Sequence, residues 1–301
     1  MSTVVRFSPD LGRWLKHKLD AGQLPPALVA AMLKQGMNER AAHAIVAAFV
    51  DARQQGAAMP DGVVELHDDA PSRPTARLAP GTRILAADRE IAVHSRGDDP
   101  VLATLGNVVD ADECQAIIEM ARPRLRPSTL VDPMSGRDVV SDKRASWGMF
   151  FRLCENDLIA RFDRRLSALM NLPLENGEGL QVLHYPTGAG SEPHHDYLAP
   201  TNAANRESIA RSGQRVSTLV TYLNDVPEGG QTVFPRLGLA VSPIRGNACY
   251  FEYGDDRGRV DARSLHASAP VTRGEKWVVT KWMRERRFVA ADEAAKLFAG
   301  S

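Results

Sequence analysis

The stretch Gln181-Val-Leu-His-Tyr-Pro-Thr-Gly-Ala-Gly-Ser-Glu-Pro-His-His-Asp-Tyr197 carries the densest structural signal in this chain. Its first residues alternate like a β-strand, and a segment rich in Gly and Pro separates them from the histidines. In a strand, residues two apart point to the same side, so His194 and Asp196 can present an imidazole and a carboxylate to one metal ion, while His195 faces away. The stretch therefore predicts a strand-rich domain with a metal site.

The sequence around this stretch indicates an α+β fold. One helix is expected after a cap at Asp110 or Asp112, and another over residues 157–170, where apolar residues recur at helical spacing. Strands separated by Gly, Pro, Asn and Asp are expected at 180–185, 216–223, 248–253 and 277–282. Short strands that follow helices predict a double-stranded β-helix, or jelly roll, core supported by helices.

The N-terminal part has a different pattern. Apolar clusters at helical spacing, with breaks at Leu24-Pro-Pro26 and residues 36–38, predict a small N-terminal helical bundle, either a docking module or a packing appendage. A stretch rich in Pro, Asp, Ala and Arg follows, which indicates a linker. Alternation at 82–86 and 90–94 predicts the first strands of the larger domain. The expected division is 1–55 (helical module), 56–95 (linker and first strands), 96–290 (main domain) and 291–301 (C-terminal tail).

The composition narrows the classes of partner. Lys plus Arg and Asp plus Glu number 37 each in 301 residues, so no overall charge favours nucleic acid or anionic lipid. The start lacks the apolar core of a secretory signal, and no apolar run approaches the roughly 18 residues of a membrane span. We therefore expect a cytoplasmic protein. Cys114, Cys154 and Cys249 are widely spaced and odd in number, which favours neither disulfides nor a thiolate zinc site.

A metal site needs a third ligand, and His266 is the only histidine downstream of the H-x-D pair. Two histidines and one carboxylate leave positions on iron(II) open for a chelating co-substrate and for O₂. Such a mixed nitrogen and oxygen set suits iron(II) better than structural zinc, which usually recruits thiolates. An H-x-D pair alone also fits a simple hydrogen-bonded turn.

A lysine shortly after His266 strengthens the metal interpretation. In Gly274-Glu-Lys-Trp-Val-Val-Thr-Lys-Trp282, Lys276 shares a strand face with Val278 and Thr280, so its ammonium can lie inside a barrel. A buried lysine is costly unless it is paired. The distal carboxylate of 2-oxoglutarate would be a suitable partner.

Together these segments resemble the prolyl 4-hydroxylase family of 2-oxoglutarate/Fe(II)-dependent dioxygenases, in particular its plant-like and bacterial members. The resemblance spans about residues 101–286. It is carried by five blocks in the same order: Arg144-Ala-Ser146, residues 175–185, Pro193-His-His-Asp-Tyr197, Gly229-Gly-Gln-Thr-Val-Phe-Pro235 and residues 266–282.

The resemblance implies a role for each matching residue. His194, Asp196 and His266 would bind iron, and Lys276 would anchor the far carboxylate of 2-oxoglutarate. Tyr185 would contact the co-substrate, and Thr280 would lie near its far carboxylate. Arg215 would be a catalytic residue that lines the peptide groove. Arg144 and Ser146 would belong to a loop near the substrate, and Gly229 and Gly230 would form a tight turn.

The resemblance also implies the reaction. We expect hydroxylation of prolyl residues at the 4-position in a peptide or protein, with O₂ consumed, succinate and CO₂ released, and L-ascorbate rescuing over-oxidised iron. Ser191 stands where the family usually has a tyrosine that shapes the site of the substrate proline, which weakens the assignment of the substrate more than that of the chemistry. Two alternatives stay open: the same chemistry on a free amino acid or another side chain, and a non-catalytic metal-binding jelly roll that acts as a recognition or sensor module.

Overall fold

The structure, a computed structural model, describes residues 3–21, 23, 25–55, 58–66, 76–127, 129–131, 138–140, 146–254 and 260–288. It divides the chain into two compact units, Met1–Ser72 and Arg73–Ser301. Within the described ranges, no helix is both long and apolar enough to cross a membrane.

The described part of the N-terminal unit contains three helices, which coincide with the clusters of apolar residues at helical spacing. The first begins after Ser8, whose hydroxyl accepts a hydrogen bond from the backbone N–H of Leu11. Two short strands pair antiparallel in the same unit, and the second lies in the segment predicted to be a linker. The unit is thus a mixed α/β structure rather than helices alone. Its elements are β1 (Thr3–Arg6), α1 (Pro9–Asp20), α2 (Pro25–Lys34), α3 (Glu39–Gln55) and β2 (Val63–Leu66).

The N-terminal unit has its own core. Leu15, Leu28, Ile45 and Phe49 are almost fully buried in one cluster. The ring of Phe7, which follows β1, meets the ring of Phe49 edge-on, with centroids 5.7 Å apart. Apolar residues at positions three and four apart thus account for the packing of the helices.

The larger unit begins with helices and strands in alternation and continues mainly as strands. Its helices are α4 (Ala111–Ala121), α5 (Asp157–Leu169) and α6 (Ala203–Ser212). Its strands are β3 (Arg83–Ala86), β4 (Arg89–Asp98), β5 (Val101–Gly106), β6 (Arg126–Pro127), β7 (Thr129–Val131), β8 (Asp138–Val140), β9 (Trp147–Phe151), β10 (Leu180–Tyr185), β11 (Ser191–His194), β12 (Arg215–Tyr222), β13 (Glu228–Gly229), β14 (Thr232–Phe234), β15 (Leu239–Val241), β16 (Ala248–Glu252), β17 (His266–Ser268), β18 (Val271–Arg273) and β19 (Lys276–Arg284).

The principal layer is a nine-stranded antiparallel sheet with strand order β3-β4-β5-β16-β12-β19-β10-β9-β6. Its central strands, β10, β12, β16 and β19, are the four strands expected from the sequence. The side chains of these strands alternate between two cores. Trp277 and Val279 of β19 face one core, and Val278 faces the other.

The first core lies between the large sheet and helices α4 and α5. Asp110 caps α4 by accepting a hydrogen bond from the N–H of Glu113, and the Glu113 side chain accepts one from the Asp110 N–H, which completes a capping box. Ile117 of α4 and Phe162 of α5 are buried against the sheet. The helices predicted at these positions are confirmed.

The second core lies on the other face of the large sheet. There the four-stranded sheet β11-β17-β14-β15 and the pair β13-β18 pack against it. Phe234 and Val241 of the small sheet share one apolar cluster with Val220 and Phe251 of the large one. A large antiparallel sheet with a smaller one on its inner face and helices on its outer face is consistent with a jelly-roll fold.

Candidate metal centre and its pocket

Three potential metal ligands converge between strands β11 and β17. His194 ends β11, and antiparallel pairing places it directly opposite His266, the first residue of β17. Asp196 follows His194 by two residues. Ligand atoms of all three side chains lie within 4.8 Å of one another. The nearest carboxylate oxygens of Asp196 lie 3.8 Å from Nε2 of His194 and 3.6 Å from Nε2 of His266.

Both histidines are held by a backbone carbonyl at Nδ1. Nδ1 of His194 lies 2.8 Å from the carbonyl oxygen of Glu192, and Nδ1 of His266 lies 3.0 Å from that of Ser264. A carbonyl oxygen only accepts, so each Nδ1 carries the proton and donates it. Nε2 is then the ring atom that can bind a metal, and both Nε2 atoms face Asp196.

Asp196 is 6% exposed. Thr218 of β12 donates its hydroxyl to Oδ2 of Asp196 at 2.7 Å. Burial opposes ionisation of this carboxyl, but positive charge at His266 and His194, carried by a proton on Nε2 when no metal is bound there, outweighs it and lowers the pKa of Asp196 to about 2. The third ligand is therefore an ionised carboxylate.

The donor set fits iron(II). It contains two imidazole nitrogens and one carboxylate oxygen, no thiolate, and His194 is partly open to the pocket. A two-histidine, one-carboxylate set leaves coordination positions vacant, as iron(II) oxygenases require. Among the described residues this is the one group of His, Cys, Asp and Glu side chains with a geometry that could hold a metal ion.

Lys276 lies in the same pocket as the three ligands. It is 2% exposed, its Nζ donates to the Ser268 hydroxyl at 2.8 Å, and the rings of Tyr185 and Tyr222 lie 5.4 Å and 5.7 Å from Nζ. Burial lowers the pKa of Lys276 to about 7. In the described part of the chain no carboxylate pairs with it. A buried ammonium without a counterion is suited to an anionic ligand.

Other predicted residues also line this pocket. Tyr185 of β10 and Thr280 of β19 are both buried there. Ser191 lines it as well, and its Oγ accepts a hydrogen bond from the N–H of Ser268. Arg144 lies outside the described residues, and Ser146 is buried at the start of β9.

Arg215 lies beside the pocket rather than in its lining. Its guanidinium forms two hydrogen bonds of 2.7 Å to the Glu178 carboxylate and stacks on the Trp282 ring at 4.0 Å. A third hydrogen bond, of 3.2 Å, reaches the backbone carbonyl of Asp196. Burial opposes the charge of this guanidinium, but the Glu178 carboxylate outweighs burial and raises the pKa of Arg215 above its ordinary value. Arg215 therefore touches both the metal-ligand segment and Trp282, which lines the pocket.

The turn before β14 confirms the expectation for its two glycines. Gly229 and Gly230 have φ values of 78° and 70°, a region that side chains disfavour. A Cβ on Gly229 would lie 2.2 Å from the carbonyl oxygen of Pro270, and one on Gly230 would lie 3.4 Å from Cδ of Lys276. Glycine at these positions thus leaves room for the opposite backbone and for the Lys276 stem.

Several pocket residues were missed by the sequence analysis. Thr232, at the start of β14, lines the pocket and accepts a hydrogen bond of 2.8 Å from the Tyr222 hydroxyl. Ser268, the partner of Lys276, and Thr218, the partner of Asp196, were missed as well. Thr232 lies in the sequence block that contains Gly229 and Gly230, and Ser268 lies in the block that contains His266. Every second side chain of a strand points to the same side, and this alternation was the signal that could have placed both residues in the pocket.

Comparisons with known proteins find similarity in the part of the chain that contains this site. Residues 180–284 match the family model described as the 2OG-Fe(II) oxygenase superfamily. Prolyl 4-hydroxylase 1 of Arabidopsis thaliana is 38% identical over 202 residues, which cover 62% of this chain and 70% of that protein. Probable prolyl 4-hydroxylase 3 of the same plant is 34% identical over 228 residues, covering 67% and 78%. Among solved structures, a viral collagen prolyl hydroxylase from Paramecium Bursaria Chlorella virus-1 in its 2OG complex is 25% identical, with a TM-score of 0.49, covering 61% of this chain and 95% of that one.

Proposed function

This chain belongs to the prolyl 4-hydroxylase family of the 2OG-Fe(II) oxygenase superfamily, and from that premise we propose that it hydroxylates prolyl residues of a peptide or protein at the 4-position. As a member of that family it is a 2-oxoglutarate- and iron(II)-dependent dioxygenase. The proposed products are the hydroxylated substrate, succinate and CO₂.

His194, Asp196 and His266 would hold the iron. Their support is the convergence of two Nε2 atoms and one ionised carboxylate within 4.8 Å. Iron(II) bound there, together with 2-oxoglutarate and O₂, supplies the oxidising power for hydroxylating an unactivated C–H bond. The contribution of the protein is to fix the three ligands, and the backbone carbonyls of Glu192 and Ser264 do so by holding both imidazoles in one tautomer.

Lys276 would bind the far carboxylate of 2-oxoglutarate. The single observation that carries the proposed function is this buried lysine, 2% exposed and without an acidic partner in the described residues, in the same pocket as the three ligands. Tyr185 and Thr280 supply further hydroxyls to that pocket. Burial excludes water from the site and strengthens the attraction between the ammonium and a carboxylate.

Arg215 is proposed as a residue of the peptide groove. It stacks on Trp282, which lines the pocket, and 18% of its side chain remains exposed. Glu178 pairs with Arg215 and also with Arg284, so its single negative charge is shared between two guanidinium groups, and Arg215 would contact a substrate through its remaining N–H groups. The same guanidinium supports the backbone of Asp196, which couples the groove to the metal ligands.

Three further parts of the proposal rest on the sequence. L-ascorbate would restore iron that has been over-oxidised without substrate. The N-terminal helices would act as a docking module for the substrate protein, and the enzyme would be cytoplasmic.

The experiment is incubation of the full chain with iron(II), 2-oxoglutarate, ascorbate and a panel of proline-rich peptides, with free proline as a separate arm. The proposal expects a gain of one oxygen atom on a prolyl residue and matching succinate. It also expects no product from His266→Ala and normal product from His43→Ala, which alters an exposed histidine of the N-terminal unit. Turnover of free proline alone would support the amino-acid alternative, and absence of succinate under every condition would support the non-catalytic one.

A further inference from the structure

Asp196 has a buried hydrogen-bonding chain behind it. The hydroxyl of Thr218 lies 2.7 Å from Oδ2 of Asp196 and 3.0 Å from the phenol oxygen of Tyr253. Thr218 is fully buried and Tyr253 is 2% exposed. Thr218, on β12, thus contacts one oxygen of the Asp196 carboxylate, and Tyr253, the residue after β16, contacts Thr218 from behind it.

Proton counting fixes the direction of both hydrogen bonds. An ionised carboxylate only accepts, and a threonine hydroxyl has a single proton, so Thr218 donates to Asp196. The Thr218 oxygen must then accept from Tyr253. Burial and the nearby Asp196 charge raise the pKa of Tyr253 well above its usual range, so the phenol keeps the proton that it donates.

This chain of donors holds one of the two oxygens of Asp196. Oδ2 accepts from Thr218 and lies 3.6 Å from Nε2 of His266, while Oδ1 lies 3.8 Å from Nε2 of His194. The backbone of Asp196 is held independently, because Arg215 donates to its carbonyl oxygen at 3.2 Å. The carboxylate is therefore fixed at its chain end and at one of its two oxygens, which prevents rotation about its side-chain bonds.

We propose that Thr218 and Tyr253 are positioning residues that hold the Asp196 carboxylate in the orientation in which its oxygens face Nε2 of both histidines. This inference rests on the proposed function, because it assigns Asp196 as a ligand. Without the hydrogen bond from Thr218, the carboxylate can turn away from the two imidazoles, and the metal site loses the fixed position of its one oxygen ligand.

The test is titration of the metal-free full chain with cobalt(II), followed by the absorption spectrum of the bound ion. Thr218→Val removes the donor and keeps the branched shape, and we expect it to weaken cobalt binding by about 10-fold to 100-fold and to change the spectrum. Thr218→Ser keeps the donor and should restore both. Tyr253→Phe removes only the outer donor, so it should weaken binding less than Thr218→Val.

The matched control is Thr221→Val. Thr221 lies on the same strand and is fully buried, and its hydroxyl has no partner among the described residues. It should leave cobalt affinity and the spectrum unchanged. Thermal unfolding of each metal-free variant separates a loss of ligand positioning from a loss of folding.

Wild-type affinity and spectrum in Thr218→Val would overturn the inference. If that variant does not fold, Tyr253→Phe decides, and an unchanged affinity and spectrum in it overturns the inference equally. Failure of the proposed function has a different signature: wild-type protein that binds no metal, or that binds cobalt(II) normally but releases no succinate with iron(II).

Discussion

The ammonium of Lys276 donates to the hydroxyl of Ser268 at 2.8 Å, and Ser268 stands two residues after the proposed metal ligand His266 on one short strand. Residues two apart in a strand point to the same side and are separated by about 6.6 Å. Strand β17 thus sets the distance between the metal centre and the buried charge. A small dicarboxylate bound at both ends is the ligand that this spacing favours.

Replacing the buried lysine should separate co-substrate binding from metal binding. Lys276→Met removes the charge that would pair with the far carboxylate, which costs about 2–5 kcal/mol for a buried charged hydrogen bond. We expect the KM for 2-oxoglutarate to rise by roughly 30-fold or more, with cobalt(II) affinity unchanged. Lys34→Met, at an exposed lysine of α2, is the control. Succinate release at varied 2-oxoglutarate measures the effect, and an unchanged KM would remove Lys276 from the binding site.

The lowered pKa of Lys276 predicts proton uptake on co-substrate binding. With a pKa of about 7, roughly a tenth of the lysines are protonated at pH 8. A bound carboxylate stabilises the ammonium and raises that pKa, so binding takes up nearly one proton at pH 8 and almost none at pH 6, where the lysine is already charged. Two titratable groups that face Lys276 stay neutral over this range, because burial raises the pKa of Cys249 to about 12 and that of Tyr222 well above its usual value.

Calorimetry in two buffers with different ionisation enthalpies measures this uptake. The metal-loaded wild type and Lys276→Met are compared at both pH values. Equal proton uptake by the two proteins at pH 8 would show that another group titrates.

A second buried lysine has a structural role. Lys281 and Asp163 are both fully buried and form an ion pair of 2.8 Å. Lys281→Met leaves the Asp163 carboxylate buried without its cation, which should lower the free energy of unfolding by about 3–5 kcal/mol. Arg83→Gln breaks an exposed pair with Glu90 and should cost about 1 kcal/mol or less. Urea denaturation compares the two variants, and similar losses would contradict this assignment.

Arg215 should affect peptide binding more than co-substrate binding. Arg215→Gln removes the ion pair with Glu178 and the stacking on Trp282, so we expect the KM for peptide to rise about tenfold, roughly 1.4 kcal/mol. The KM for 2-oxoglutarate should change little. Glu178→Gln is the comparison, because it breaks the same pair without altering the guanidinium. If both variants change the two KM values alike, Arg215 has only a structural role.

The strands around the site were predictable because they are long and strongly apolar. Strand β10 begins and ends where expected, and β12, β16 and β19 differ by one or two residues at their ends. The H-x-D pair was predictable from the two-residue period of a strand. Much of the inner sheet was not, since strands of three residues, such as β14 and β15, are too short for alternation to be recognised.

The partners of the ligands could not be predicted for a different reason. Thr218 meets Asp196, and Ser268 meets Lys276, through pairing between strands that are distant in sequence. A single sequence contains no information on that register. Likewise, nothing in the sequence indicated that Glu178, among many acidic residues, pairs with Arg215. The chemistry was therefore predictable from the ligand types together with Lys276 and the sequence blocks that resemble the family, whereas the hydrogen bonds that orient the ligands required the fold.

The most direct test of the central claim is the simultaneous measurement of succinate and hydroxylated peptide from the iron-loaded protein. Under O₂ labelled with heavy oxygen, we predict one labelled oxygen atom on a prolyl residue for each succinate released, and neither product from His266→Ala. Succinate without any hydroxylated peptide would contradict the prolyl substrate. Neither product from the wild-type protein would contradict the oxygenase assignment itself.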